Sequence, residues 1–337
     1  MVSGPSREKH APPSLGARGQ AHPVGSPLTG ESLLGASRPL RRRQPQYTYR
    51  GDRRLALVIP AAALILALSI FPIIQLANMS LHDVTLATLT HDWDFVGLRK
   101  YQELFAHPDF WKILGNTLAF VVVVTALGLV GGFAAAVAVS PQKRGASFLL
   151  GLMVFLWAMP PVVVASIWKF LLSGDGLVNT ILLNIGFSER VGFLFDKDLA
   201  LWSVALVNAW AVIPFNALIF RAAILGIDPN LIEAAEMDGA GAWQRIRYVF
   251  IASVRPSTMV LTVLTVVYAF RSFDYIYIMT AGGPGTASTT LPYFAYVEAL
   301  VNRDIAGGAA TAILALLIVV IFAYVYVRDL RRGEPED

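Results

Sequence analysis

The sequence predicts an all-α integral membrane protein with six transmembrane helices. Of its 337 residues, 55% are hydrophobic and only 15% are charged, and the mean hydropathy is +0.58. A soluble domain usually carries about 25% charged residues. Six stretches contain the roughly 20 mostly apolar residues that a helix needs to cross a bilayer. None of them alternates cleanly between apolar and polar residues, as the strands of a membrane β-barrel do.

The first 54 residues differ in composition from the rest of the chain. They are rich in Pro, Ser, Gly and Arg, and no aromatic residue precedes Tyr47. Such a segment cannot bury enough apolar surface to offset its ordering entropy, so residues 1–54 are predicted to be a disordered basic cytoplasmic tail. A cleavable signal peptide is not expected, because no apolar stretch precedes Leu55. We interpret Arg41-Arg42-Arg43 as a topology anchor near anionic lipid, with a nucleic-acid-binding arm as the alternative.

The predicted transmembrane domain covers residues 55–327, and residues 328–337 form a short tail. Proline is expected to interrupt two spans, at Pro160-Pro161 and at Pro214, because a proline inside a helix removes a backbone hydrogen bond and kinks the helix. Gly128 and Gly132 form a Gly-x-x-x-Gly pair in the second span, which indicates close helix packing. The six predicted spans are 55–79, 114–139, 147–172, 199–225, 257–279 and 309–327.

The distribution of Lys and Arg predicts the orientation through the positive-inside rule. With the N terminus in the cytoplasm, the segments on that side carry eighteen Lys or Arg residues and the outer segments carry six. The N-terminal tail supplies ten of the eighteen, so it decides much of the difference. An even number of spans then places both termini in the cytoplasm, together with a hydrophilic loop of residues 226–256.

This loop is predicted to fold into two short helices at the membrane face. Asp228 can cap the first helix, Pro229 suits its first position, and Gly239 is a natural left-handed stop. A second helix can follow through Trp243, Arg245 and Ile246. The small side chains of Ala234 and Ala235 would let a partner approach the backbone. From spacing alone, a docking element and an ordinary interfacial amphipathic helix both remain open.

Several kinds of chemistry have no support in the sequence. The absence of cysteine excludes disulfides, zinc–thiolate sites and cysteine nucleophiles. No Gly-x-x-x-x-Gly-Lys-[Ser/Thr] phosphate loop occurs, so no ATP site is expected in this chain. The five histidines lie outside the spans without metal-ligand spacing, and no catalytic constellation is evident. The basic residues that raise the isoelectric point cluster at span ends and in the tail, so no nucleic-acid partner is expected.

Polar and aromatic residues inside the spans are candidates for a solute pathway. Arg271 and Asp274 lie three residues apart in the fifth span, where pairing is the favoured interpretation and solute contact an alternative. Aromatic faces and amide groups suit sugar binding, although Trp and Tyr also form interfacial belts. The candidate pathway residues are Asn208, Trp210, Asn216, Tyr268, Arg271, Phe273, Asp274 and Tyr275.

Glu233-Ala234-Ala235, with Gly239 after three further residues, resembles the EAA loop of ABC importer permeases. The continuation to Trp243 resembles the carbohydrate-type permeases, the family of the maltose and glycerol-phosphate importers. Three other segments resemble further elements of that family, over roughly residues 55–327: Asn116-Thr117, Trp210 to Phe215, and Phe270 to Gly285. One departure is Ala252, where the family often has a proline, so a less kinked exit from the loop is expected.

The resemblance implies a type I importer permease bundle in the cell membrane, without a nucleotide site of its own. Its implied partners are a second homologous permease subunit, two ATPase subunits that bind ATP and Mg, an extracytoplasmic solute-binding protein and membrane lipid. The solute would be a sugar or a sugar-like compound. The residues that would couple the permease to the ATPase are Glu233, Ala234, Ala235, Met237, Asp238, Gly239, Trp243 and Arg245.

The main alternative function is an ion- or proton-coupled secondary transporter that uses Asp274 as a relay. It would predict uptake by a single purified chain and leave the loop of residues 226–256 without a purpose. A polytopic membrane enzyme would need catalytic groups clustered at one membrane face, and none is found. A membrane scaffold would not explain Arg271 and Asp274 within a span.

Overall fold

The computed structural model describes residues 52–90, 92–139 and 145–332, which are mostly helical. The predicted tail of residues 1–54 therefore lies outside the described residues apart from its last three, and so do residues 333–337 of the C-terminal tail. The chain divides into two units, Met1–Val58 and Ile59–Asp337. The second unit contains every element that follows the first helix.

The elements follow one another as a series of helices with one short strand pair. The first half contains α1 (Asp52–Ser80), β1 (His82–Asp83), β2 (Asp94–Phe95), α2 (Arg99–Ala106), α3 (Phe110–Val139), α4 (Ala146–Ala158), α5 (Pro161–Leu171) and α6 (Leu177–Asn184). The strands are antiparallel, with His82 opposite Phe95. The second half contains α7 (Ala200–Leu225), α8 (Pro229–Met237), α9 (Ala242–Gln244), a π-helical stretch (Arg245–Phe250), α10 (Ile251–Ser253), α11 (Arg255–Phe270), α12 (Phe273–Met279), α13 (Leu291–Tyr296), a second π-helical stretch (Val297–Val301) and α14 (Ile305–Arg332).

Four helices are long and apolar enough to cross a membrane: Ala62–Ser80 within α1, all of α3, all of α7, and Ile305–Arg328 within α14. Two bent pairs of helices meet the same criterion, which gives up to six spans. Helices α4 and α5 meet at 98°, and Ala242–Ser253 meets α11 at 68°. The prediction of an all-α membrane protein is confirmed.

The two proline sites expected to interrupt spans behave differently. Helix α4 ends at Ala158, Met159 and Pro160 are extended, and Pro161 begins α5. This break follows from the Pro-Pro pair, because a residue before proline avoids the helical region. In contrast, α7 continues from Ala200 to Leu225 through Pro214, so the interruption predicted there is wrong. Neighbouring helices stabilise a proline-containing membrane helix, and α3 packs along α7.

The fifth predicted span, residues 257–279, is wrong at its C-terminal end. Helix α11 ends at Phe270, and only Arg271 and Ser272 separate it from α12. Ser272 has φ −76° and ψ 61°, and the Phe273 N–H donates to the Arg271 carbonyl at 2.8 Å. This is an inverse γ-turn. Apolar residues continue on both sides of the turn, so the apolar pattern alone could not locate it.

The contact between α3 and α7 forms the centre of the bundle. The two helices run parallel, and the Gly-x-x-x-Gly face of α3 lies directly on α7. A Cβ at Gly132 would lie 2.5 Å from the Cβ of Asn216, and one at Gly128 would lie 2.6 Å from Val212 Cγ1. Such separations leave no room for a methyl group, so the close packing predicted for this pair is confirmed.

An ion-pair network around Lys100 joins α2 to the start of α14. Lys100 is buried, and its Nζ lies 2.9 Å from Asp304 Oδ2 and 3.3 Å from Glu103 Oε2. Asp304 Oδ1 also accepts a hydrogen bond from the Gly307 N–H at 2.9 Å, so it caps α14. Burial alone would lower the pKa of Lys100. The hydrogen bond to Asp304 and the two carboxylates together outweigh it and raise this pKa.

Lys100→Met is expected to lower the free energy of unfolding by about 2 kcal/mol, because it leaves the Asp304 carboxylate without its counter-charge. Since the folded-state pKa of Lys100 is raised, this stabilisation is present at neutral pH and is lost as pH rises through that pKa. Thermal unfolding in nanodiscs measures the effect. Arg190→Met is the control, because the Arg190–Asp175 pair is solvent-exposed. Equal losses in the two variants would contradict the prediction.

Candidate functional site

Residues 226–253 form a helical hairpin at the end of α7. The Asp228 side chain accepts a hydrogen bond from the Asn230 N–H at 2.9 Å, and Pro229 is the first residue of α8. Gly239 has φ +80°, and the Ala240 N–H donates to the carbonyl of Ala235 at 2.9 Å. This is the glycine-terminated helix end known as a Schellman motif. The predicted cap, first residue and stop of this helix are confirmed.

The second arm of the hairpin continues without a break to Ser253. It includes Trp243, Arg245 and Ile246, as predicted, and its middle part is π-helical. Arg245 forms an ion pair with Glu236, which ties the two arms together. Ala252 lies within this arm as part of α10, and the chain bends by 68° directly after it, at Val254. The exit from the hairpin is therefore sharply bent despite the alanine.

The tip of the hairpin exposes large apolar side chains. Met237 is 88% exposed and Trp243 is 71% exposed. Glu233, Ala234, Asp238 and Gly239 are also exposed, whereas Ala235 and Arg245 are half-buried. Clustered exposed apolar groups mark interaction surfaces. All eight residues predicted for coupling therefore lie on one small hairpin.

A groove of about 540 Å³ lies beneath the hairpin, between it and the ends of α3 and α7. Its walls are mainly apolar and include Val137, Ile232 and Phe250. Glu233 and Arg245 are the charged residues among those that line it. The hairpin thus rests on an apolar base that is shared by two spans.

A separate cavity of about 290 Å³ is lined by the bent pair α4–α5, by α7, by α11 and by α12. The Trp157 and Phe215 rings, which line it, stack at 5.5 Å with an angle of 23°. Thr265, Tyr268 and Tyr275 supply its hydroxyl groups, and the two tyrosine oxygens lie 3.4 Å apart. Apolar walls with a few polar groups are typical of small-molecule sites.

The two predicted asparagines of α7 are fully buried beside this cavity. Asn208 Nδ2 donates to Ser272 Oγ at 2.9 Å, and Ser272 Oγ donates to the Tyr268 carbonyl at 2.9 Å. Asn216 Oδ1 accepts a hydrogen bond from Thr265 Oγ1 at 3.2 Å. Asn208 Oδ1 and Asn216 Nδ2 have no partner among the described residues. Both asparagines therefore support cavity residues from behind, and neither is a lining residue.

Trp210 and Phe273 lie away from the cavity, so the structure does not bring all of the predicted pathway residues together. Trp210 packs edge-on against Trp168, with ring centroids 5.5 Å apart, and lines a separate apolar groove. Phe273 lies on the other face of α12 from Tyr275 and stacks on Tyr277 at 5.3 Å. Residues two positions apart on a helix point in different directions, which explains the separation of Phe273 from Tyr275.

The favoured pairing of Arg271 with Asp274 is wrong, because the γ-turn at Ser272 breaks the helix between them. Neither residue forms an ion pair within the described residues. Arg271 is exposed and Asp274 is half-buried. A cation does contact α12, but it is Lys169 of α5, whose Nζ donates to the Ile278 carbonyl at 2.7 Å.

Sequence reasoning missed Trp157, Phe215 and Thr265 as cavity residues. Phe215 ends the Trp210-to-Phe215 segment that resembles the family, so the sequence does contain a signal for this residue. Trp157 and Thr265 lie in apolar runs where composition alone cannot separate a cavity wall from a packed core.

The segment between α12 and α13 is fixed to the beginning of α3. Asn116 Nδ2 lies 3.0–3.2 Å from the backbone carbonyls of Thr286, Ala287 and Thr289. Thr117 Oγ1 accepts a hydrogen bond from the Leu291 N–H at 2.8 Å. Gly282 and Gly285 have φ values of +76° and +60°, so the glycine-rich run forms a turn. Asn116-Thr117 thus holds this turn against the bundle.

Comparison with known proteins places this architecture in a defined group. The family model for the binding-protein-dependent transport system inner membrane component matches residues 128–332. The trehalose/maltose transport system permease protein of Thermococcus litoralis is 30% identical, over 81% of this chain and 91% of its own length. The diacetylchitobiose uptake system permease protein of Streptomyces coelicolor is 29% identical, over 83% of this chain and 87% of its own. The structure of a bacterial ABC transporter involved in import of the acidic polysaccharide alginate has a similar fold, with a TM-score of 0.71 and 22% identity over 84% of this chain and 96% of that one.

Proposed function

Since this chain belongs to the family of binding-protein-dependent transport system inner membrane components, we propose that it imports a sugar or a sugar-like solute. It is a multi-pass membrane permease subunit of an ABC importer, and ATP hydrolysis belongs to a separate subunit. Sugar as the solute class is supported by the names of the relatives from Thermococcus and Streptomyces. The comparisons give no support to an ion- or proton-coupled secondary transporter.

The proposed partners are a second permease subunit, two ATPase subunits that bind ATP and Mg, and an extracytoplasmic solute-binding protein. The family description supports the last of these, and a structure of similar fold contains an alginate pentasaccharide-bound periplasmic protein. The most apolar part of Ala62–Ser80 in α1 has no buried residue within this chain. That leaves its surface for lipid or for the second permease subunit.

The exposed hairpin carries the coupling proposal. Met237 and Trp243 present apolar surface at its tip, and Ala234 and Gly239 leave the backbone accessible between them. An ATPase subunit that grips this tip would move α7 and α11 together, because the hairpin connects them. The proposed orientation places the hairpin and both termini in the cytoplasm, where ATP is available. Co-purification of the chain with its ATPase is the direct test, and an isolated permease that transports without one would exclude the proposal.

The cavity beside Tyr268 and Tyr275 is the proposed solute site. Its stacked aromatic wall can contact the C–H face of a sugar ring, and its three hydroxyl groups can bond to sugar hydroxyls. Two of its walls, α7 and α11, lead directly to the hairpin. Movement of the hairpin would therefore change the shape of the cavity.

Tyr268→Leu is expected to reduce uptake by about tenfold at low solute concentration, since it removes both a ring face and a hydroxyl from the cavity. Uptake of radiolabelled sugar into proteoliposomes that contain the whole importer measures the effect. Tyr326→Leu is the matched control: Tyr326 is half-buried like Tyr268, but it lies in α14 and outside the cavity lining. If both variants transport like the wild type, the cavity is not the solute site.

A further inference from the structure

Four aromatic rings lie together on the face of α12 opposite Tyr275. Phe273 stacks on Tyr277 at 5.3 Å with an angle of 19°, and on Tyr293 at 5.9 Å with an angle of 27°. The Tyr296 ring is 5.1 Å from Phe273 and 5.4 Å from Tyr277. These four residues of α12 and α13 are named the aromatic platform. Every ring in it contacts the other three.

The platform has a buried base and an exposed top. Tyr293 is buried, Phe273 and Tyr296 are half-buried, and Tyr277 is 46% exposed. Three of its four members carry a phenolic hydroxyl. The surface therefore offers ring faces for apolar contact and hydrogen-bonding groups at their edges, a combination typical of aromatic recognition sites.

The backbone behind the platform is rigid. A Cβ at Gly282 would lie 2.5 Å from Tyr293 Cε1, so this turn has room only for glycine. Thr289 Oγ1 donates to the Gly282 carbonyl at 3.0 Å, and Lys169 holds the end of α12 through the Ile278 carbonyl. Asn116 fixes the intervening segment. Rings held in this way lose little freedom when a ligand binds, which lowers the entropic cost of binding.

The position of the platform follows from the direction of α11. This helix starts at Arg255, next to the hairpin, and ends at Phe270, next to α12. The platform therefore lies at the end of α11 away from the hairpin. If the hairpin meets the ATPase, the platform is on the side from which solute arrives, separated from the cavity only by α12.

We propose that the aromatic platform is a second carbohydrate subsite, at which one sugar ring stacks on Tyr277, with Tyr296 nearly perpendicular beside it, before the solute enters the cavity. The proposal rests on the proposed sugar import and adds a contact point to it. Sugar fits this surface better than a lipid chain, because hydrocarbon offers no hydrogen-bonding partner to the hydroxyl groups of the exposed Tyr277 and the half-buried Tyr296. A sugar offers both a C–H face and hydroxyl groups.

The first test uses the complete importer in nanodiscs with 3-fluorotyrosine at position 277. The probes are maltose, maltotetraose and N,N′-diacetylchitobiose, chosen among the sugars that the wild-type importer transports. A saturable change of the fluorine resonance at position 277, with no change for the same label at Tyr324, is the expected result. Tyr324 is an exposed tyrosine of α14, far along the chain from the platform. If a transported sugar leaves the fluorine resonance at position 277 unchanged, the proposal of a sugar subsite at the platform is wrong.

Substitutions then separate stacking from other contacts. Tyr277→Leu is expected to weaken sugar binding about fivefold, whereas Tyr277→Phe stays within about twofold of the wild type because it keeps the ring. Tyr324→Leu is the control and should bind like the wild type. Equal weakening by Tyr277→Leu and Tyr277→Phe would overturn the stacking interpretation.

If the wild-type importer transports none of the sugars, the proposed function fails and the platform proposal fails with it. If it transports them and Tyr277→Leu binds normally, only the platform fails.

Discussion

Gly239→Asp is expected to leave the permease folded in the membrane but to abolish ATP-driven uptake, with a loss of at least about tenfold. Within the chain, a Cβ at Gly239 meets no atom within 4 Å. Its φ of +80° costs a non-glycine residue only about 1 kcal/mol, which an exposed helix end tolerates. The damage therefore arises outside the chain, where a new side chain and charge stand between the hairpin tip and the ATPase.

Gly186→Asp is the matched control for this effect. Gly186 also has a positive φ, +109°, and open space around its Cβ position, but it follows α6, outside the hairpin. Three measurements distinguish the variants: membrane insertion, ATPase co-purification, and sugar uptake with ATP hydrolysis. Normal uptake by Gly239→Asp would eliminate the docking interpretation. Equal loss in both variants would assign the effect to backbone strain.

Gly132→Val is expected to destabilise the bundle by about 3 kcal/mol or more, the largest effect on stability among these variants. The new Cβ would lie 2.5 Å from the Cβ of Asn216 and 3.2 Å from the backbone nitrogen of Ala217. A flexible side chain could rotate away, but a helix backbone cannot, so α3 and α7 must separate. Separation would also disturb the Asn216–Thr265 hydrogen bond and with it one wall of the cavity.

Gly115→Val provides the comparison within the same helix. Gly115 also lies in α3, but nothing approaches its Cβ position within 4 Å. Both substitutions replace glycine by the same β-branched residue, so their helix propensity costs are similar. The melting temperature and the yield of folded protein in detergent should fall sharply for Gly132→Val only. Similar melting temperatures for the two variants would show that α3 and α7 can adjust.

The main helices could be predicted because the sequence carries their signals locally. A long apolar run defines a span, and Asp228, Pro229 and Gly239 each act on the residues next to them. The Pro160-Pro161 break is equally local. Two predictions are wrong, the interruption at Pro214 and the C-terminal end of the fifth span, and both depend on neighbours in space. Helix α3 packs along the helix that contains Pro214, and the γ-turn at Ser272 lies where Asn208 can donate a hydrogen bond to Ser272.

The proposed solute site was harder to predict because α7 has no polar stripe. A helix without a polar stripe does not reveal which face meets the core and which meets a cavity. The sequence therefore does not separate Trp210 from Asn208, although they face different neighbours. The same limit applies to α12, where Phe273 and Tyr275 lie on opposite sides of one short helix.

The continuity of α7 through Pro214 has a mechanical consequence. At a rise of about 1.5 Å per residue, its 26 residues form a rod about 39 Å long. If α7 tilts as one body about its middle, where it contacts the glycine face of α3, a tilt of about 5° would displace each end, about 20 Å away, by about 2 Å. A hinge at Pro214 would have absorbed that rotation halfway. In this permease α7 can act as a lever arm, with the glycine face of α3 as its fulcrum.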